Sequence, residues 1–193
     1  MLRIVAMCLL AGLSAVAVAQ VGQEVIQPTR PILSGQAPAM RVKLVESTGG
    51  EKVYVVVFRK GDEMLSGLTD FAKQYHVMDA HFTGIGAVSG ATVGWLDLSQ
   101  KNYHPIHVNE QVEVLAMTGD IATFNGNPVV HAHLVLGRRD GSTVGGHMWE
   151  AHVNPTVEVF VTAHETRLEK VPDDEVDRSY KVSVSASVTQ AVW

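Results

Sequence analysis

The feature of this sequence that most constrains its fold is an alternation of apolar and polar residues that runs through most of the chain. It is clearest over 180–188, where Tyr, Val, Val, Ala and Val alternate with Lys, Ser, Ser and Ser. Successive side chains of a β-strand point to opposite faces, so such segments bury one face and expose the other. The alternation therefore predicts a protein built mainly from half-buried strands.

One segment departs from this period and predicts a helix over 63–75. Its apolar positions share one helical face. They are Met64, Leu65, Leu68, Phe71, Ala72 and Tyr75. Asp62, just before the segment, is a residue type that caps helix N-termini, and it is predicted to be the N-cap.

The remaining strands are separated by short turns, which favours antiparallel pairing. They are predicted over 53–58, 80–88, 91–98, 111–122, 129–137, 156–164 and 180–188, with shorter strands at 42–46 and 103–107. One main helix on a mostly antiparallel sheet predicts a compact α+β fold. The 180–188 segment is expected to be an edge strand or a tail on a neighbouring subunit.

The first nineteen residues are typical of a secretory signal peptide, with Arg3 ahead of an apolar run and Ala17-Val18-Ala19 as a cleavage site. The run is shorter than the roughly 20 residues that span a bilayer, so no stable membrane anchor is expected. The sequence thus predicts a signal peptide over 1–19, a flexible lead-in over 20–40 and a domain over 41–193. It also predicts a periplasmic or secreted protein.

Two aspects of composition limit the possible functions. Cys8 is the single cysteine and leaves with the predicted signal peptide, so the mature chain has no disulfide or thiol chemistry. The net charge of −5 disfavours nucleic-acid binding, because such binding relies on Lys and Arg that neutralise phosphates.

The residues that point to chemistry are His131-Ala132-His133, followed by Gly145-Gly146-His147. Histidines at i and i+2 of a strand project from the same face, and a third from the next segment completes a three-imidazole set. Three imidazoles with an open fourth position are a common arrangement for catalytic zinc. The alternative is a pair of exposed strand histidines. Because His147 follows two glycines, where the backbone can approach closely, a divalent-metal site, with zinc expected, is favoured.

A metal-dependent enzyme also needs an acid or base, and Glu158 is the predicted catalytic residue. It lies inside an apolar strand, where an unpaired carboxylate would be costly to bury. The alternative places Glu158 on the solvent face of an alternating strand. Glu113 has the same ambiguity and ranks below it.

The order of these motifs resembles the PPC domain, the plant-and-prokaryote conserved domain formerly of unknown function. The motifs are Thr83-Gly84-Ile85-Gly86-Ala87-Val88-Ser89, Glu113-Val114-Leu115, His131-Ala132-His133-Leu134, Gly145-Gly146-His147-Met148 and Thr156-Val157-Glu158-Val159. The resemblance implies an antiparallel α+β fold, a homotrimer and zinc on the three histidines. It also implies a fold similar to that of acetolactate decarboxylase, a zinc enzyme, although a shared fold does not determine function.

The functional expectation is an exported, metal-binding PPC-like protein; whether it is an enzyme stays open. As an enzyme it would act on a small carbonyl or carboxylate compound, with a ligand pocket at a subunit interface. One alternative is a non-catalytic metal- or ligand-binding module. Another is a DNA-binding regulator like the plant members, which bind DNA largely through an AT-hook that this sequence lacks.

Overall fold

The computed structural model describes residue 24, residues 31–173 and residues 180–183. In this part of the chain, one helix, α1 (Met64–Tyr75), accompanies nine strands. The strands are β1 (Arg41–Thr48), β2 (Glu51–Arg59), β3 (Ala80–Asp97), β4 (Asn102–Val108), β5 (Val112–Phe124), β6 (Asn127–Gly137), β7 (Thr143–His164), β8 (Lys170–Pro172) and β9 (Tyr180–Val182). The predicted α+β fold, mostly antiparallel with a single helix, is confirmed.

Seven strands form one sheet in the order β1-β2-β7-β6-β5-β3-β4, and β7 also pairs with β3. Strands β3, β5, β6 and β7 therefore form a closed circuit in which each is hydrogen-bonded to the next. The pairings within the sheet are antiparallel. Closure removes free edges in this part of the sheet and brings β6 and β7 side by side.

The two longest strands extend beyond the predicted segments: β3 joins the predicted 80–88 and 91–98 strands, and β7 begins thirteen residues before the predicted 156–164 strand. Strand β3 continues through Ser89-Gly90 and β7 runs from Thr143 to His164, so the predicted break at Ser89-Gly90 is wrong. The register between β3 and β7 shifts on both sides of Val88. Such bulges let a strand bend without ending, which explains why a turn-like dipeptide stays within β3.

The helix begins one residue later than expected, because Glu63 is the N-cap and Asp62 is not. The Glu63 carboxylate accepts hydrogen bonds from the backbone N–H groups of Leu65 and Ser66. Asp62 is buried and instead accepts from the N–H groups of Ala39 and Arg59. It stabilises the loop before the helix rather than the helix itself.

The core lies between the apolar face of α1 and the inward face of the sheet. Met64, Leu68 and Phe71 are fully buried and belong to the same cluster as Phe58 and Phe82. Burying each such side chain contributes roughly 1.5–3 kcal/mol. This packing makes the sheet a rigid support for the side chains on its opposite face.

Segments at both ends of the domain are tied to it. The N–H of Gly35 donates to Asp70 at 2.7 Å, and that of Ala39 donates to Asp62 at 2.9 Å, so residues 31–40 of the predicted lead-in contact the domain. Strands β8 and β9 form a separate two-stranded sheet. Residues 184–188 of the predicted 180–188 strand lie outside the described residues. Among the described helical residues, none forms a helix long and apolar enough to cross a membrane.

Candidate metal centre

The structure brings His131, His133 and His147 together. His131 and His133 lie two residues apart on β6, and His147 lies opposite His133 in the β6–β7 pairing. The other face of β6 presents Val130, Ala132 and Leu134 to the core, each at most 7% exposed. This burial confirms the prediction that β6 has an apolar face toward the core. Because side chains alternate along a strand, His131 and His133 lie on the opposite face.

The three rings form a compact group. One ligand nitrogen from each histidine lies within 4.8 Å of the other two. The ring centroids are 5.2 Å apart for His131–His133, 5.0 Å for His131–His147 and 5.4 Å for His133–His147. Among the described residues this is the one group of three or more histidine, cysteine or carboxylate side chains close enough to hold a metal ion.

Asp120 on β5 orients His131. Nδ1 of His131 lies 3.1 Å from Asp120 Oδ2, and the two residues are paired across β5 and β6. With Nδ1 held by the carboxylate, Nε2 of His131 is the nitrogen left to bind a metal. A carboxylate behind a metal-binding histidine orients the ring and raises its basicity.

Lys170 of β8 stands behind Asp120. Its Nζ lies 2.8 Å from Asp120 Oδ1, and its side chain is 3% exposed. Burial by itself would raise the pKa of the Asp120 carboxyl, but the hydrogen bond from His131 and the contact with Lys170 lower the pKa below its usual value. Asp120 therefore stays ionised between the imidazole of His131 and the ammonium group of Lys170.

Sequence reasoning missed both Asp120 and Lys170. Asp120 interrupts the alternating β5 pattern between Gly119 and Ile121, which is a weak signal that gains meaning only when its pairing with His131 is known. Lys170 carries no sequence signal, since lysine is normally a surface residue.

His147 lies deepest in the group, against two aromatic rings. Its centroid is 5.2 Å from that of Tyr103 and 4.6 Å from that of Trp149. Burial, together with the neighbouring charges of His131, His133 and Lys170, lowers the pKa of His147 to about 3. Burial and the charge of His131 also lower the pKa of His133. Both rings are therefore neutral at neutral pH, the form that binds metals.

Glycines allow the strands around His147 to approach closely. A Cβ on Gly94, which pairs with His147 across β3 and β7, would overlap the indole nitrogen of Trp149. A Cβ on Gly146 would lie 2.5 Å from the carbonyl oxygen of Gly94. The glycines before His147 thus serve close approach, as the sequence predicted.

The donor set fits a divalent ion such as zinc. Three imidazoles with a further position open to water or a ligand form a common catalytic zinc site. Nδ1 of His147 is buried and has no hydrogen-bond partner among the described residues. Such a nitrogen is costly without a partner, and a metal ion or a bound ligand would supply one.

The structure does not bring Glu158 to these histidines. Glu158 is exposed and lies opposite Ile85, whereas His147 lies opposite Gly94. Glu158 lies eleven positions beyond His147 on β7, which corresponds to roughly 35 Å of extended strand. Glu158 instead lines an open depression with Glu113, so the solvent-face alternative describes its position within one subunit.

Comparisons with known proteins agree with this architecture. The model of the Plants and Prokaryotes Conserved (PCC) domain family matches residues 45–165. No protein in a comparison with curated proteins matches the chain.

Three solved structures are similar over most of the domain. A candidate DNA-binding protein from Ralstonia eutropha is 33% identical, with a TM-score of 0.63 over 68% of this chain and 91% of that one. A plant- and prokaryote-conserved protein from Pyrococcus horikoshii is 26% identical, with a TM-score of 0.61 over 70% and 90%. A metal-containing protein from Archaeoglobus fulgidus is 25% identical, with a TM-score of 0.61 over 71% and 93%. On its fold and on the family match, the chain belongs to the Plants and Prokaryotes Conserved domain family.

Proposed function

We propose that this protein binds one divalent metal ion, zinc by preference, through His131, His133 and His147. The observation that carries the proposal is the convergence of three imidazoles whose ligand nitrogens lie within 4.8 Å of one another. The relative from Archaeoglobus fulgidus, described as metal-containing, supports it. Imidazole nitrogens suit zinc and other late divalent metals better than they suit calcium or magnesium.

We propose further that the site acts on a small carbonyl or carboxylate compound. A bound zinc ion would supply Lewis acidity and lower the pKa of a coordinated water. The chain itself contributes an oriented His131, held by Asp120, and a wall of Tyr103 and Trp149 that shields one side of the site from water. Such a polar centre beside apolar walls is typical of small-molecule sites.

The proposed assembly is a homotrimer, supported by an apolar surface on the outer face of the sheet. Ile85, Leu115, Val135 and Phe160 are each at least 45% exposed. Apolar patches of this kind mark protein–protein contacts more often than free surface. The proposal that Glu158 is the acid or base then requires the Glu158 carboxylate of one subunit to reach the histidines of another.

The first test is metal analysis of protein produced without a histidine tag. We expect about one zinc ion per subunit, and its loss in His131→Ala and in His147→Ala. His152→Ala is the matched control, because His152 is an exposed histidine of the same strand as His147 whose partner is Glu150. A folded wild-type protein that does not bind added zinc would overturn the proposal.

Export is part of the proposal and is supported by the sequence of residues 1–19. The same preparation tests it when the protein is purified from the periplasm of a bacterial host and its N-terminus is sequenced. A chain that begins at Gln20 supports export, and an intact Met1 in the cytosol contradicts it.

DNA binding is a second candidate, because the relative from Ralstonia eutropha is described in those terms. The excess of 20 acidic over 15 basic residues disfavours it. DNA binding that weakens steeply as the salt concentration rises would favour this candidate.

A non-catalytic metal- or ligand-binding module is the third candidate. A fourth protein ligand on the metal would favour it, since structural zinc sites are normally closed by four such ligands.

A further inference from the structure

A segment beyond the family-matched part of the chain reaches the histidine site. The family match ends at residue 165, one residue after the end of β7. Lys170 lies five residues further on, at the start of β8. Its ammonium group contacts Asp120, the residue that holds His131. The chain therefore adds a charged residue to the site from outside the conserved domain.

Backbone contacts determine where Lys170 lies. The N–H of Thr123 donates to the carbonyl of Leu168 at 2.6 Å, and Thr123 forms a bridge with Glu169. On the other side, the N–H of Ser183 donates to the carbonyl of Glu169 at 2.7 Å. The segment 166–172, named the strap here, is thus held against β5, three residues from Asp120.

Lys170 is buried, so its contact with Asp120 is important for the stability of its charge. Lysine is rarely buried, because the ammonium group loses its hydration and needs a charged partner in return. Asp120 provides that partner through Oδ1 and accepts from His131 through Oδ2. One carboxylate thus joins the strap to a predicted metal ligand.

We propose that Lys170 is a positioning residue for the metal site. It holds the Asp120 carboxylate in the orientation that accepts the Nδ1 proton of His131 and directs Nε2 toward the metal. The inference rests on the proposed metal binding. It extends that function by making metal affinity depend on the strap and by making the strap more ordered when metal is bound, since such coupling is reciprocal.

The first experiment measures the Kd of zinc by competition with a chromophoric chelator, alongside the melting temperature of each metal-free variant. Outer-shell partners of metal ligands contribute about 10–100-fold to metal affinity, so Lys170→Met is expected to raise the Kd by that factor. Lys170→Arg keeps the charge and is expected to lose less. A folded Lys170→Met variant with wild-type affinity overturns the inference.

Lys181→Met is the matched control. Lys181 lies on β9 of the same two-stranded sheet, but its partner is Asp173 and its side chain is 54% exposed. Its variant is expected to bind zinc as the wild type does. An equal loss in both variants would mean that the strap acts only through its general stability, which also overturns the assignment to Lys170.

The second experiment uses the unaltered full-length protein and therefore does not depend on a variant that folds. Amide hydrogen exchange is compared with and without zinc in peptides covering 127–137, 166–172 and, as a reference, 41–48. We expect zinc to slow exchange in the first two and to leave the third unchanged. Protection of 127–137 alone overturns the role of the strap while the metal site stands, and protection of neither overturns both.

Discussion

At the scale of single residues, the properties of the site depend on how deeply each imidazole is buried. His131 and His133 occur as a visible pair, but the environment of His147 depends on Tyr103 and Trp149, which come from β4 and β7. Burial among these rings lowers the pKa of His147 to about 3, well below the usual value for histidine. His147 is therefore in the neutral form that binds a metal at neutral pH. In the metal-free protein, its burial makes the folded state less stable in acid.

This property predicts a pH dependence for the stability of metal-free protein. The pKa of His147 is lowered from 6.5 to about 3 in the folded state, so between these values the unfolded state alone gains the proton. The free energy of unfolding then falls as the pH falls below 6.5. Urea unfolding is expected to show that the wild type loses about 2 kcal/mol more than His147→Gln between pH 7 and pH 5.

His152→Gln is the control for this experiment, since its ring is exposed. It is expected to follow the wild type across the same pH range. Parallel stability curves for the wild type and His147→Gln would show that burial of His147 is not the source of acid sensitivity.

At the scale of secondary structure, β3 and β7 position the site. Their antiparallel pairing extends from Ala80 with Ala163 to Gly94 with His147 and includes register shifts between Gly86 and Gly90 and between Thr92 and Val93. The position of His147 therefore depends on this whole length of pairing. Where the strands meet at the site, Gly94 leaves room for Trp149. Close packing of this kind makes the position of His147 sensitive to one added methyl group.

Gly94→Ala is expected to destabilise the protein by about 1–3 kcal/mol, the usual effect of overpacking a filled site. Its Cβ would overlap the indole of Trp149, and the displaced ring would move His147. We also expect a higher Kd for zinc. Thermal or urea unfolding and chelator competition are the measurements.

Gly90→Ala is the matched variant on the same strand. Its Cβ would approach one neighbour, the Val108 carbonyl oxygen at 3.0 Å. Gly90 lies four residues from Gly94 on β3 and pairs with His152, which is not one of the three site histidines. A smaller loss of stability and an unchanged zinc affinity are expected. Equal effects on zinc affinity at the two positions would contradict a local role for Gly94.

At the scale of the whole molecule, one side of the sheet is covered by α1 and the other leaves large apolar side chains exposed. Phe160 is 50% exposed and Ile85 60% exposed, on strands that pair with each other. Covering these side chains with further copies of the chain would remove them from water. The apolar face therefore supports the proposed homotrimer.

Phe160→Glu is expected to shift the proposed trimer toward monomer, because a carboxylate would be buried without a partner in such an interface. Sedimentation velocity at several protein concentrations measures the change. Leu98→Glu is the control, since Leu98 is 67% exposed and lies just after β3, outside the depression lined by Ile85 and Leu115. Trimers that persist unchanged in Phe160→Glu would place the interface elsewhere.

Local patterns predicted much of this architecture. Alternation identified the strands, and the 3.6-residue period identified α1, because both depend on side chains a few positions apart. The break at Ser89-Gly90 was wrong because pairing with β7 on one side maintains an extended backbone that the dipeptide by itself would not favour. The N-cap was shifted from Asp62 to Glu63 because Asp62 is used by the backbone of Ala39 and Arg59.

The sequence by itself determined the α+β class, the shared face of His131 and His133, and the close approach allowed before His147, since each depends on neighbours within a few residues. Tertiary structure alone decided that Asp120 and Lys170 stand behind His131 and that Glu158 lies far along β7. These relations depend on strand register between segments distant in the chain. A shift of one residue would turn each side chain to the opposite face, and no local pattern specifies that register.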